Sequence, residues 1–151
     1  MNDVSAFLAL NRENEEQLWP LTEAEMRALL DIAYQAVTSA DGEAMLIAFD
    51  ERAPYDSPNH RWFRERYPRF VYVDRVAVAT HARGRGLGRA LYEALIAKAR
   101  ADGHTVLCAE VYSDPPNPGS DAFHAAMGFS EVGRAYVPDR GKSVRYLVRA
   151  L

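Results

Sequence analysis

Val76-Ala77-Val78-Ala79-Thr80-His81-Ala82-Arg83-Gly84-Arg85-Gly86-Leu87-Gly88-Arg89-Ala90-Leu91 is the stretch on which the reading of this chain turns. It predicts the end of a strand, a short loop, a glycine-rich turn and the first turn of a helix. Gly84, Gly86 and Gly88 permit positive φ and a close approach of backbone to ligand, with no Cβ in the way. The helix that follows aims its unpaired N–H groups back at the turn, and those amides with the helix dipole suit a phosphate. Arg83, Arg85 and Arg89 place positive charge at the same point. An ordinary strand–turn–helix connection with solvated arginines would contain the same residue types, so the rest of the chain must decide.

The remaining sequence sets the frame. A length of 151 residues suits one domain, residues 1–151, with a real core, and 48% of the residues are apolar. Net charge is −3 with no long basic run, which argues against charge-driven nucleic-acid binding. No signal-peptide pattern and no apolar run near membrane-spanning length occur, which predicts a soluble cytoplasmic protein without a membrane partner. Cys108 is the single cysteine, so neither an internal disulfide nor a cysteine-based zinc site is expected. His60 and His104 have no evident partners, and no metal site is predicted.

Taken in order, residues 4–10 read as a first strand and residues 11–17 as a polar loop or a frayed turn. Thr22 and Glu25 form a capping box for a helix over 23–35, with Leu21 and Met26 as its staple. Asp41-Gly42 is a two-residue turn joining a strand at 37–39 to one at 43–50. Ser57 and Pro58 open a short helix to about residue 67, closed by Pro68. Residues 70–78 read as a strand buried on both faces. The helix after the glycine turn runs to 101, with Gly103 as its stop and Ala90, Ala94, Ala97 and Ala101 as a small-residue stripe towards a sheet. A strand at 105–112 follows, then a rigid crossing at 113–119. A short helix comes next, with Ser120 as N-cap and Gly128 as stop. A terminal antiparallel pair at 129–137 and 143–151 completes the chain. Helices alternating with strands predict an α/β (α+β) mixed sheet with helices on its faces.

Two motifs carry a resemblance. Arg83, Gly86 and Gly88 fill the pattern Arg/Gln-x-x-Gly-x-Gly/Ala behind Val76 and Val78, and this resembles motif A of the GNAT superfamily, the GCN5-related N-acetyltransferases. Residues 117–129, Asn-Pro-Gly-Ser-Asp-Ala-Phe-His-Ala-Ala-Met-Gly-Phe, look like motif B of the same superfamily, matched at Asn117, Ser120, Phe123, Gly128 and Phe129. Features between Asn59 and His124 are similar to a group of small predicted acetyltransferases. The resemblance implies a central sheet of about seven strands, mixed but mostly antiparallel, with two strands splayed to hold coenzyme A. It implies acetyl-CoA as acyl donor, with its pyrophosphate on the amides of Arg83, Gly84, Arg85, Gly86, Leu87, Gly88 and Arg89. Its pantetheine arm would pair with Val76 and Val78, and Asn117 and Ser120 would complete the site.

The chain departs from the family at one position. His124 stands where relatives carry the tyrosine that protonates the leaving thiolate. A histidine can act as acid or base near neutral pH, or it can simply pack and hydrogen-bond; Tyr112 is a second candidate acid. For a base, two carboxylates interrupt apolar strands. Asp74 alternates in phase with Tyr72, Val76 and Val78 and so shares their face. Glu110 lies near the end of the strand expected beside it. Burial raises a carboxyl pKa and helps it accept a proton from an amine; the alternative is a structural ion pair with Arg75 or Arg145. Residues 53–67, with Tyr55, Asp56 and Trp62, are expected to form one wall of an acceptor pocket.

The activity implied is acetyl transfer to a primary amine by direct attack in a ternary complex. A small-molecule amine is favoured over a protein N-terminus or lysine. The alternative is a CoA-binding regulatory or structural module without turnover. A nucleotide P-loop fits poorly, because no Gly-Lys-Ser/Thr follows the turn. The terminal strands, if exposed at an edge, can pair with a second copy to form a homodimer.

Overall fold

A computed structural model describes residues 4–114 and 116–151; Pro115, in the predicted crossing, lies outside them. The elements are α1 (Val4–Glu13), α2 (Glu23–Ile32), β1 (Gln35–Thr38), β2 (Ala44–Asp50), α3 (Pro58–Arg64), β3 (Val71–Val78), α4 (Leu87–Ala101), β4 (Val106–Asp114), α5 (Pro118–Ala126), β5 (Ser130–Val137) and β6 (Lys142–Ala150). A 3-10 turn, Pro138–Arg140, joins the last two strands. The strands form one sheet in the order β1-β2-β3-β4-β6-β5. Every pairing is antiparallel except β3 with β4. The mixed, mostly antiparallel sheet is as expected, with six strands in place of about seven.

The missing strand is residues 4–10, which are helical. Val4, Phe7, Leu8 and Asn11 are buried at spacings of three and four, the period of a helix face, and Ala6 and Ala9 favour helix between them. The capping box forms as expected: the Thr22 hydroxyl accepts from the Glu25 N–H (3.1 Å), and Glu25 Oε1 accepts from the Thr22 N–H (2.9 Å). The helix it opens ends at Ile32, because β1 begins at Gln35. Ser57 caps α3 with Pro58 in its first turn. The alanine stripe on α4 is a misreading. Tyr92, Leu95, Ile96 and Ala99 are buried, whereas Ala90, Ala94, Ala97 and Ala101 face outward. Large residues offset by two positions outweigh small ones, since burial follows apolar area. Of the terminal strands, β5 is an edge and β6 is interior.

One hydrophobic cluster lies under α1, α2 and α3, and a second lies under α4 and the end of α5. β3 crosses between them with a change of phase. Ile47 of β2 faces Arg75, yet Ala48 faces Val73, so Asp74 has no partner: it is a β-bulge. Before it, Val71 and Val73 pack in the second cluster and Tyr72 in the first; after it, Val76 packs in the second and Ala77 in the first. Strict alternation of Asp74 with Tyr72, Val76 and Val78 therefore fails. The extra residue lets two sequence neighbours, Asp74 and Arg75, meet on one side.

Gly133 on β5 illustrates how tightly the far side is packed. The Trp62 ring lies over it and stacks on Tyr146, with centroids 4.2 Å apart and an interplanar angle of 18°. A Cβ at Gly133 would overlap that ring. Gly133→Ala is expected to destabilise the protein by about 1–3 kcal/mol, seen as a lower denaturant midpoint at unchanged slope. An unshifted midpoint would mean the stack yields freely.

Candidate active site

Beyond Val73 and Ala109 the two parallel strands part. β3 pairs with β4 only through Val71–Leu107, Tyr72–Cys108 and Val73–Ala109. Past that fork opens a cavity of about 390 Å³, lined by Asp74, Val76 and Val78 from β3, Glu110 and Tyr112 from β4, and Asn117, Ser120 and His124 from α5 and its cap. A second cavity of about 310 Å³ adjoins it at the glycine turn, where Gly84, Gly86, Leu87, Gly88 and Arg89 line the wall. Arg83 borders both.

The turn is built as its composition demands. Gly84 and Gly86 have φ of +82° and +76°, and a Cβ at either would meet nothing within 4 Å. Gly86 is the N-cap of α4 with no side chain capping it, so the first amides of a fifteen-residue helix stay available to a ligand. Gly88 packs closely: a Cβ there would sit 3.7 Å from Phe123 and 3.8 Å from Val78. The arginines divide. Arg83 donates to Asn14 Oδ1 (3.0 Å), while Arg85 turns away to Glu43 (3.1 Å) and lines neither cavity.

At the fork the two carboxylates have different surroundings. Both oxygens of Asp74 are occupied: Tyr55 donates to Oδ1 (2.9 Å) and Arg75 Nε to Oδ2 (3.0 Å). Arg75 is itself 4% exposed and donates to Asn11 Oδ1 (2.7 Å) and the Trp19 carbonyl (2.8 Å). Asp74 is thus half of a buried ion pair, one of the two alternatives its sequence position allowed. Glu110 accepts from the Tyr72 hydroxyl (2.6 Å) and has no cation within 4.0 Å among the described residues. Arg145 is committed instead to Asp121 and Glu131. Loss of water, with the Asp74 charge nearby, lifts the Glu110 carboxyl to about 8, against the Tyr72 hydrogen bond and the Arg140 and Arg75 charges.

His124 is buried, and both ring nitrogens are engaged. Nδ1 lies 2.8 Å from the Ser120 carbonyl, which can only accept, so Nδ1 carries the proton. Nε2 is then the acceptor for the Tyr92 hydroxyl at 2.8 Å. Desolvation lowers the imidazole pKa, which keeps the ring neutral in this role. Tyr112 is half-buried; burial raises its phenol while the Arg140 charge lowers it. The cap of α5 is Asn117, three residues before the predicted Ser120: its Oδ1 accepts from the Ser120 N–H (3.2 Å), and Pro118 in the first turn has no N–H to satisfy. Ser120 instead keeps its hydroxyl 3.3 Å from His124 Nδ1.

Some lining residues escaped the sequence reading. Asn14, Gln17 and Leu18 come from the turn after α1, read from the sequence as loop or frayed turn but given no part in the site. Asn11 and Asn14 continue the buried face of α1 at helical spacing, so the signal was a polar residue in an apolar register. Asn14 also donates to the Leu10 carbonyl (2.8 Å) and fastens Arg83. Conversely, Tyr55, Asp56 and Trp62 do not line the cleft: Tyr55 acts from behind through Asp74, Asp56 pairs with Arg61, and Trp62 stacks on Tyr146.

A parted parallel pair with an amide-rich glycine turn at its open end is the arrangement that the resemblance to acetyl-CoA-dependent acyltransferases implied. The chain belongs to the acetyltransferase (GNAT) family, whose sequence model matches residues 12–129. No curated protein matches it by sequence. Among solved structures, it resembles the ribosomal-protein-alanine N-acetyltransferase from Brucella melitensis at 24% identity and TM-score 0.68, covering 99% of this chain and 94% of that one. It resembles the ribosomal-protein-S18-alanine N-acetyltransferase from Escherichia coli at 18% identity and TM-score 0.70, covering 98% and 87%. The NatC complex bound to Gag peptide and CoA matches at 15% identity and TM-score 0.70, covering 98% and 90%. These likenesses concern the fold. No helix among the described residues is long and apolar enough to cross a membrane.

Proposed function

We propose that the chain transfers the acetyl group of acetyl-CoA to the primary amine of a small molecule, by direct attack with both substrates bound. The observation that carries this reading is the fork: β4 leaves β3 after Val73, directly before the strand segment that leads into the glycine turn. An extended amide-bearing arm can lie along Val76 and Val78 there, with its diphosphate on the amides of residues 83–89. A CoA-bound relative of the same fold supports the assignment. Acetyl-CoA supplies an activated thioester. The rest is the work of the chain's own groups. A backbone N–H on the side of β3 that β4 has left polarises the thioester carbonyl. Glu110, the carboxylate without an ionic partner, takes the proton of the attacking amine directly or through water.

For the departing thiolate the acid is assigned to Tyr112. His124 has already spent its Nδ1 proton on Ser120 and its Nε2 lone pair on Tyr92, so it holds α5 and Tyr92 in place. Tyr112→Phe should lower kcat about a hundredfold with little change in the acetyl-CoA KM. A smaller kcat loss in Tyr112→Phe than in His124→Ala would move the role to the histidine. Thiol release measured against a panel of small amines tests the whole reading. Release should require an acceptor, and double-reciprocal plots should intersect. Tight acetyl-CoA binding without acceptor-dependent release would overturn turnover, and parallel plots would overturn the ternary complex.

A further inference from the structure

The turn between β5 and β6 and the first residue of β6 carry two cations that form no ion pair among the described residues. The Arg140 guanidinium lies 5.6 Å from the centroid of the Trp19 ring, and the Lys142 ammonium lies 5.6 Å from that of the Tyr112 ring. Neither has a carboxylate within 4.0 Å among the described residues. On the same hairpin, Arg134 and Arg145 are both paired, through Glu131 and Asp121. Arg140 is only partly exposed, and the groups within its electrostatic reach include Glu110, Tyr55, Asp74 and Tyr72 at the fork and Tyr112 beside it. Asp74 is already neutralised by Arg75. Glu110, lifted to about 8, holds its proton near neutral pH. The fork therefore faces unbalanced positive charge in the ground state.

These cations are not placed for the diphosphate of the donor. The fork end at Asp74 and the strand end at Val78 are separated by four residue steps, roughly 13 Å along β3. The glycine turn lies further on still, with Arg83 and Arg89 for its own charge. An anion at Arg140 must arrive with the other substrate. We infer that the amine acceptor also carries a carboxylate, received by Arg140 and Lys142 while the amine points at Glu110. This rests on the acetyl-transfer reading above and narrows the acceptor to an aminocarboxylate. A guanidinium offers two parallel N–H donors to a carboxylate, which fixes the orientation as well as the charge. Trp19, 42% exposed, supplies an apolar wall beside it. None of these three lines either cavity, so the carboxylate end of the acceptor reaches out of the cleft past Tyr112, over whose ring Lys142 lies.

The test compares the twenty common L-amino acids with their carboxamides, as acceptors in thiol release and as ligands titrated into CoA-saturated protein. The best acid should exceed its amide at least about tenfold in both kcat/KM and affinity, because the amide leaves Arg140 without its partner. Arg140→Gln should erase that preference, Arg140→Lys should restore part of it, and Arg134→Gln on the same hairpin should leave it intact. A change in Tyr112 chemistry alone would affect acid and amide alike, so the ratio isolates recognition. Equal use of acids and amides by the wild type, or a preference untouched by Arg140→Gln, overturns the inference. Absence of thiol release with every acceptor overturns the acetyl-transfer reading. Titration then still decides the inference: acid binding that depends on Arg140 sustains it, and acid binding that does not, or none at all, ends it.

Discussion

Gly86→Asp is expected to cut acetyl-CoA affinity about a thousandfold while the unliganded protein remains folded. Two opposing effects of the same carboxylate separate binding from stability. At the start of α4 a negative charge complements the helix dipole, and the site has room, since nothing lies within 4 Å of a Cβ at Gly86. The backbone cost is that of an L-residue at φ +76°, about 1–2 kcal/mol, which Asp and Asn bear better than most residues. A diphosphate seated on the same amides meets the new charge at close range. At about 4 Å and an effective dielectric of about 20, each like-charge pair costs about 4 kcal/mol, which is roughly three decades in the dissociation constant. Gly86→Asn is the control, because it carries the same shape and the same φ without the charge. Calorimetric titration of acetyl-CoA should place Gly86→Asn at least about a hundredfold tighter than Gly86→Asp. Near-equal affinities would mean that the diphosphate does not rest there.

What could be read from the sequence, and what could not, follows from the range of the interactions involved. The glycine turn, the capping box at Thr22 and the Ser57–Pro58 helix start depend on contacts within four residues, and all three are where local rules put them. The parallel pairing of β3 with β4 is long-range, yet two nearly continuous apolar runs around a helix announce it. Three features hid from local reading. The buried face of α1 starts with Val4, Phe7 and Leu8 but continues in polar residues, Asn11 and then Asn14 just past its end, which bond to Arg75 and Arg83 more than sixty positions away. The bulge at Asp74 inserts one residue into β3 and exchanges the faces of Val76 and Ala77, and no pattern within the strand marks it. The engagement of His124 is set by Tyr92, which belongs to a different helix. The family resemblance placed residues in the cleft by position. It did not say which of their protons or lone pairs were already spent.

That distinction matters most at Glu110, where the largest effect on turnover is expected. Glu110→Gln should lower kcat about a thousandfold, within the range by which positioned general bases contribute. It should also remove the limb of the wild-type kcat–pH profile that rises through about 8. The base must be deprotonated to act, so activity increases with pH until the carboxyl has ionised. The same ionisation carries an opposite consequence for stability. The folded state holds this proton up to about 8, whereas the unfolded chain releases it near the ordinary value of 4.5. Between those values the folded state binds the more protons, so stability falls as pH rises. The cost is absent below about 4.5 and complete above about 8. Gln accepts from the Tyr72 hydroxyl as Glu does but never charges. The melting temperature of Glu110→Gln relative to wild type should therefore climb from pH 5 to pH 9. A constant difference would refute the raised pKa itself. A surviving kcat limb near 8 in the variant would place the base elsewhere. Should both expectations hold, the residue that makes the fork reactive is also the one that makes it least stable where it works best, which is what a buried base without a counter-ion entails.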